Sequence, residues 1–269
     1  MAQTFQDWEM IVVDDGSSQD LSFVDSMDAR VRLIRQKNTG QAIARNNAIA
    51  QTSGEFVAFL DADDVWLPHK LERQLEIMNA RPEVALCHTQ FEMIDADGKR
   101  TGDGFTGAMN LYLELLGGCG IGISSTMVRR AVLSSVGVFE QFASPSDDYD
   151  LWLRIARHHA MARLGETSMQ YRTHGENMSG NYRVMFSVSH NILERHRVAA
   201  RKSGDKKLEA AAACGQKKIA RVYASQAFDR VRENVHRRQP TQALPHLGFA
   251  LRYSPVFVAQ SLWAFLRRR

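Results

Sequence analysis

Three carboxylates, Asp61, Asp63 and Asp64, fall within four residues at the end of the apolar run Phe56-Val57-Ala58-Phe59-Leu60. Anions packed that closely repel one another unless solvent or a cation compensates them. Hard divalent cations such as Mg2+ or Mn2+ favour oxygen ligands. The chemistry this predicts is a metal site at the carboxyl end of a buried strand; a solvated acidic turn is the alternative that the pattern leaves open. Asp14 and Asp15 likewise end an apolar stretch, just before the turn-forming Gly16-Ser17-Ser18. A third acidic group, Asp147, Asp148 and Asp150, stands where a helix begins, and the positive end of a helix dipole favours anions. His174 closes the extended segment Met169-Gln170-Tyr171-Arg172-Thr173. A second Asp-x-Asp, Asp95-Ala96-Asp97, is followed by Gly98-Lys99-Arg100 and reads as a hairpin turn rather than a metal site.

The elements that must place these groups alternate. Strands are expected over 9–13, 31–34, 55–60 and 84–94, and a helix over 41–52 that Gly54 stops. An amphipathic helix, with Pro68 in its first turn, carries Leu67, Leu71, Leu75 and Met78 at helical spacing until Arg81-Pro82 ends it. Such alternation predicts a mostly parallel sheet covered by helices, and parallel sheets gather ligands at the carboxyl ends of their strands. Both Asp14-Asp15 and Asp61 to Asp64 fall on that edge. The glycine-rich stretch 102–122 reads as a loop near a site, and 124–128 as a further strand. Leu151, Trp152 and Ile155 form the buried face of the helix that the third acidic group opens. From Tyr182 onward the pattern is helical, over 205–238, 241–253 and 255–269.

With 44% hydrophobic residues in 269, the chain can bury a real core. Cys87, Cys119 and Cys214 are scattered and odd in number, so neither a disulfide framework nor a zinc site is indicated, and a reducing cytoplasm is expected. No secretory signal opens the sequence, and no stretch reaches the roughly 18 uninterrupted apolar residues of a membrane span. The net charge of +4 hides an asymmetry: residues 1–182 carry 16 basic and 25 acidic side chains, residues 183–269 carry 18 and five. The division expected is therefore an acidic body over 1–182 and a basic helical extension over 183–269. A basic extension calls for an anionic partner. It holds no recognisable nucleic-acid module. Residues 255–269, apolar and ending in Arg267-Arg268-Arg269, suit either the inner face of a membrane or packing on a neighbouring helix.

Five blocks, in order, resemble the family-2 nucleotide-sugar glycosyltransferases of the GT-A fold. They are Gln3-Thr4-Phe5 through Val12-Val13-Asp14-Asp15-Gly16-Ser17, Ala44-Arg45-Asn46, Gly54-Glu55-Phe56 through Asp61-Ala62-Asp63-Asp64, Ser146-Asp147-Asp148-Tyr149-Asp150-Leu151-Trp152-Leu153-Arg154, and Tyr171-Arg172-Thr173-His174. The resemblance covers roughly residues 3–180. It implies an α/β, Rossmann-like fold with a mixed, mostly parallel sheet and helices on both faces, followed by the helical extension.

The activity it implies is inverting transfer of a sugar from a nucleotide-sugar, a UDP-sugar foremost, to the hydroxyl of a glycan or lipid-linked acceptor in surface polysaccharide synthesis. By the same resemblance Asp148 is the catalytic base and Asp63, Asp61 and His174 meet a divalent Mg2+ or Mn2+. Asp14, Asp15, Arg45 and Asp61 line the donor, with Asp15 reading the nucleotide base and Arg45 either meeting phosphate or bracing Asp61 and Asp63 electrostatically. Asp147, Ser125 and Trp152 lie toward the acceptor. The same residues also have plainer readings: an Asp-Gly turn at Asp15, a helix-face arginine at Arg45, a helix N-terminal acid pair at Asp147-Asp148, and a core position for Trp152.

The family pattern opens with a further strand and helix, carrying a Pro-x-Tyr-Asn-like segment that lines the nucleotide pocket. This sequence begins after both, so strands flanking that position are expected to expose unpaired backbone groups. A non-catalytic protein that binds nucleotide-sugars or partners, or a peripheral membrane protein, is the competing expectation.

Overall fold

The computed structural model describes residues 2–104, 112–118, 120–175 and 177–266. The chain divides into two compact units, one formed by Met1–Leu115 with Cys119–Asn177 and the other by Leu116–Gly118 with Met178–Arg269.

In the first unit, β1 (Met10–Asp14) and β2 (Val31–Arg35) pair in parallel as a sheet of their own. Helix α1 (Gln41–Gln51) follows. The second sheet contains β3 (Phe56–Ala58), β4 (Val65–Trp66), β5 (Val84–Ile94), β6 (Arg100–Asp103), β7 (Thr126–Arg129) and β8 (Ala160–Arg172). Its order is β3-β7-β5-β8-β4, with β6 against β5. Helices α2 (Lys70–Ala80), α3 (Tyr112–Leu115), α4 (Arg130–Val136) and α5 (Asp147–His158) complete the unit.

The α/β layout agrees with the sequence, but strand direction differs from the mostly parallel sheet expected. Within the second sheet, among the described residues, only β5 and β8 run parallel, while β3–β7, β5–β7, β5–β6 and β4–β8 are antiparallel. One cause is local and one is not. β6 returns on β5 through the hairpin at Asp95–Gly98, where Gly98 adopts φ +83°. β7 then enters between β3 and β5 from the opposite direction. The second Asp-x-Asp is thus a turn, with Asp95 Oδ1 accepting from the Asp97 and Lys99 N–H groups at 3.1 and 2.9 Å.

Two local expectations also shift. The helix after Pro68 starts only at Lys70, because the Pro68 carbonyl is engaged by the Thr4 N–H at 2.9 Å. The apolar run before Asp61 is buried at Val57 and Phe59 but exposed at Leu60, since β3 ends at Ala58. Part of the glycine-rich stretch, residues 105–111 and 119, and the terminal Arg267-Arg268-Arg269 lie outside the described residues.

The core sets Leu71 and Met78 of α2 against Val84 and Cys87 of β5, Met127 of β7, and Ala162 and Leu164 of β8. A second contact set bears on the site. Trp152 of α5 is fully buried, its ring 6.3 Å from Phe59 and 6.4 Å from Phe139. The apolar face of α5 thereby holds its acidic first turn close to the loop that follows β3.

The second unit is helical: α6 (Tyr182–Lys202), α7 (Lys206–His236), α8 (Pro240–Tyr253) and α9 (Pro255–Leu266). Asn181 and Asp205 cap α6 and α7 by accepting from the Val184 and Leu208 N–H groups. Tyr182, Ala224, Ala227, Phe228, Ala250 and Val258 make the core. Gly215 is needed where α7 meets the short segment 116–118, for a Cβ there would sit 1.7 Å from the Leu116 carbonyl oxygen. Among the described residues no helix is long and apolar enough to cross a membrane.

Candidate active site

The two-residue strand β4 pairs Val65 with Gln170 and Trp66 with Met169. That pairing brings the end of β8 back onto the acidic loop between β3 and β4. The Arg172 N–H donates to Asp64 Oδ1 at 3.0 Å and Arg172 Nε to the Asp63 carbonyl at 2.9 Å. Two residues on, His174 Nε2 lies 3.0 Å from Asp63 Oδ2. The loop is fixed from its other side by the Asp61 N–H, which donates to Ser124 Oγ at 3.0 Å. Desolvation pushes the buried Asp64 carboxyl up to about 6, with the Asp61 and Asp63 charges adding to it and the Ser124 hydroxyl and Arg172 N–H opposing it.

Asp63 and His174 suit a hard or borderline cation. Asp63 Oδ2 and His174 Nε2 here meet each other directly at 3.0 Å, an ordinary hydrogen-bond length. No group of three His, Cys, Asp or Glu converges on one point among the described residues. Two such side chains would fit Mg2+ or Mn2+ only where substrate phosphates and water complete the coordination.

Across the loop, α1 and α5 contribute the second half of the site. Arg45 Nη2 donates to Asp61 Oδ1 at 2.8 Å and Nη1 to Asp147 Oδ2 at 2.9 Å. Gln41, one turn earlier on α1, donates through Nε2 to Asp147 Oδ1. Asp147 is wholly buried. Asp148 keeps part of its surface open, yet protein packed around it strips most of its hydration. Desolvation first, and then the Asp147 charge, push its carboxyl up to about 7, with Arg45 and the Tyr149 N–H pulling it down. A carboxylate tuned near neutrality suits a general base.

At the end of β1, Asp15 accepts from the N–H groups of Thr39 and Gly40 and from Gln36 Nε2, each at 2.8 Å. Gly40 is the N-cap of α1, so Asp15 ties the strand to the helix that carries Gln41 and Arg45. Burial raises the Asp15 pKa, but those donors outweigh it and hold the carboxyl below its ordinary value. Its Oδ2 accepts one hydrogen bond among the described residues and retains room for another. Gly16 follows at φ +83°, where a Cβ would lie 2.8 Å from the Asn38 nitrogen, so a side chain there would be both strained and clashing. Asp14 is turned to the Ser17 N–H at 2.8 Å.

Asp15, Asp61, Asp63, His174, Arg45, Asp147 and Asp148 therefore come together through a continuous set of contacts at the ends of β1, β3 and β8. Two expected acceptor residues do not join them. Ser125 is fully buried with its hydroxyl on the Gly122 carbonyl at 2.6 Å, and Trp152 is fully buried among Phe59 and Phe139, so neither offers surface to an acceptor. Sequence reasoning missed Gln41 and the clamping role of Arg172. The i, i+4 spacing of Gln41 and Arg45 just after a helix-starting glycine was the available signal.

The profile of glycosyl transferase family 2 matches residues 1–136. An Escherichia coli relative, the UDP-Glc:alpha-D-GlcNAc-diphosphoundecaprenol beta-1,3-glucosyltransferase WfgD, is 31% identical over 189 residues, which cover 67% of this chain and 72% of WfgD. An uncharacterized glycosyltransferase of Rickettsia bellii is 30% identical over 180 residues, 65% of this chain, and the chain spans only 26% of that longer protein. Among solved structures, S. aureus TarS 1-349 superposes with a TM-score of 0.53 at 15% identity, covering 90% of this chain and 82% of TarS, which shows a shared fold. The profile match takes in β1 through β7 with the Asp15 turn and the Asp61 to Asp64 loop, and WfgD aligns over most of its own length; on both counts the chain belongs to glycosyl transferase family 2.

Proposed function

We propose that the chain is an inverting, metal-dependent transferase that moves a sugar from a nucleotide-sugar to an acceptor hydroxyl in surface polysaccharide synthesis. The observation that carries the reading is the junction of two half-sites. A cation-suited pair, Asp63 and His174, is linked through Asp61 and Arg45 to an acid pair whose outer member, Asp148, is tuned near pH 7. Asp15 Oδ2 accepts an N–H of the nucleotide base. Asp63 and His174 are the side chains that would hold Mg2+ or Mn2+, with Asp61 beside them on the same loop. A cation bound there would supply Lewis-acid stabilisation of the charge that grows on the departing diphosphate. Asp148 takes the proton of the acceptor hydroxyl as its oxygen bonds to the anomeric carbon and the diphosphate leaves from the opposite face. One base suffices for this single displacement, in contrast to the paired carboxylates of retaining glycosidases.

The name of WfgD specifies a UDP-sugar donor and a diphosphoundecaprenol-linked acceptor, and we assign the same classes here. In the division we favour, residues 1–182 carry out the transfer. The extension over 183–269, with 18 basic against five acidic side chains and Leu244, Val256 and Trp263 exposed, rests on the anionic surface that presents such an acceptor. Flotation with phosphatidylglycerol vesicles should recover the full chain, and a version ending at Ser254 should float poorly; equal recovery of both would remove the membrane assignment.

The catalytic reading is tested by nucleoside diphosphate release from a panel of UDP-, GDP- and dTDP-sugars, with a lipid-linked sugar acceptor and Mn2+. The Asp63→Ala variant should need at least about tenfold more Mn2+ for half-maximal rate. Identical Mn2+ curves for variant and wild type would refute the assignment of Asp63.

A further inference from the structure

The resemblance places Arg45 among the donor-binding residues and Asp147 on the acceptor side. We propose instead that Gln41, Arg45 and Asp147 form a positioning unit that touches neither substrate and fixes Asp148 and Asp61 relative to each other. The guanidinium is already committed: one terminal nitrogen is bonded to Asp61, the other to Asp147, at 2.8 and 2.9 Å, and the side chain is only 16% exposed. Two of its five N–H donors go to protein carboxylates and most of the side chain is covered, so little of the fork faces a diphosphate. Asp147 is equally committed, with no exposed surface and one oxygen each accepting from Gln41 and Arg45. An acid in that state cannot meet an acceptor. It can hold the first turn of α5, and so the direction in which Asp148 projects.

The unit is also anchored as a body. Gln41 and Arg45 share one face of α1, and the start of α1 is bound to Asp15 through the Thr39 and Gly40 N–H groups. A single helix therefore references three places that the reaction must keep in register: the end of β1, the loop after β3, and the start of α5. Misplacement of a reacting group by about 1 Å costs on the order of 100-fold in rate, so the gain from such a reference is kinetic rather than one of affinity.

The inference rests on the transferase reading, and the test separates the two. Steady-state kinetics are measured on the full chain with Mn2+ and the nucleotide-sugar that the wild type turns over fastest. Lysine at position 45 keeps the charge but cannot span both acids. Arg45→Lys should lower kcat about 10–100-fold while the donor KM stays within about threefold. Gln41→Ala should lower kcat about tenfold at unchanged KM, and the double variant should lose little beyond Arg45→Lys, because both act on Asp147. A donor KM raised tenfold or more at unchanged kcat would show that Arg45 meets the donor, and would overturn the proposal.

Asp147→Asn adds a readout that plain structural support would not move. Asp147, Arg45 and Asp61 are the charged groups facing Asp148, so losing the Asp147 charge should move the acid limb of kcat/KM down by about half a pH unit or more; an unmoved limb counts against the unit. If no nucleotide-sugar is turned over, the transferase reading falls, and a double-mutant cycle of Arg45→Lys with Asp147→Asn in thermal unfolding still decides the unit. Coupled shifts support it, and additive shifts overturn it.

Discussion

Replacing Asp148 with asparagine should lower kcat by about 10²–10⁴-fold and at the same time make the protein more stable at pH 8. The two effects share one origin. The Asp148 carboxyl sits at about 7 in the fold against 3.8 for an exposed aspartate, raised by desolvation and by Asp147. Between those two values the folded state binds a proton that the unfolded state releases, so stability falls as pH rises from about 4 to about 7, and the full penalty is in place above 7. Asparagine removes a charge that the fold tolerates only for its chemistry, and the gain should be on the order of 1–3 kcal/mol. The pH–rate profile of the wild type should lose roughly tenfold per unit below about pH 7 as the base is protonated. Unfolding melts at pH 5 and pH 8 alongside turnover make the test complete. A variant that keeps wild-type kcat, or one that melts lower at pH 8, removes Asp148 from the role of buried base.

The second large effect concerns stability alone. Asp150 has no exposed surface, and Arg154, one turn on in α5, donates Nε to it at 2.8 Å while its two terminal nitrogens donate to the Val136 and Val138 carbonyls at 2.6 Å each. Arg154→Ala leaves a buried carboxylate without that partner and two carbonyls without donors. Breaking a buried pair from one side costs about 3–5 kcal/mol, which for a protein of this size lowers the melting point by roughly 6–20 °C. The double change of Asp150→Leu with Arg154→Met should recover part of that, since it removes the stranded charge but not the stranded carbonyls. Urea titration of the full chain measures both, and a loss under about 1 kcal/mol for Arg154→Ala would contradict the account.

The Asp150–Arg154 pair shows what kind of information the sequence carried. Asp-Tyr-Asp-Leu-Trp-Leu-Arg was legible as a helix with acids at its start and Trp152 inward, because four-residue spacing is written locally. The carboxylates after β1 and β3 were legible for the same reason: an apolar run followed at once by acids is a short-range pattern. What joins them was not. Arg45 and Asp147 are 102 positions apart, and His174 and Asp63 are 111 apart. Strand direction failed to show for a related reason. Antiparallel β7 enters the sheet between two strands that precede it, and β4, which draws His174 to Asp63, is only two residues long. Ser125 was expected on the acceptor side from its place in the family pattern, but as the last residue of the 3-10 turn Ile123–Ser125, just before β7, it is turned into the interior.

The separate sheet of β1 and β2 has a consequence for the donor end of the site. A two-stranded sheet has little stability of its own, and Ile11, Val12 and Val13 of β1 are all only partly covered. Local opening of this ribbon therefore requires less free energy than opening of the six-stranded sheet, and the Asp15 turn that ends β1 opens with it. Asp63 and His174 are tied instead to the end of β8 in the larger sheet. A nucleotide base bound at Asp15, as proposed, would therefore add its own binding free energy to the folding of that ribbon.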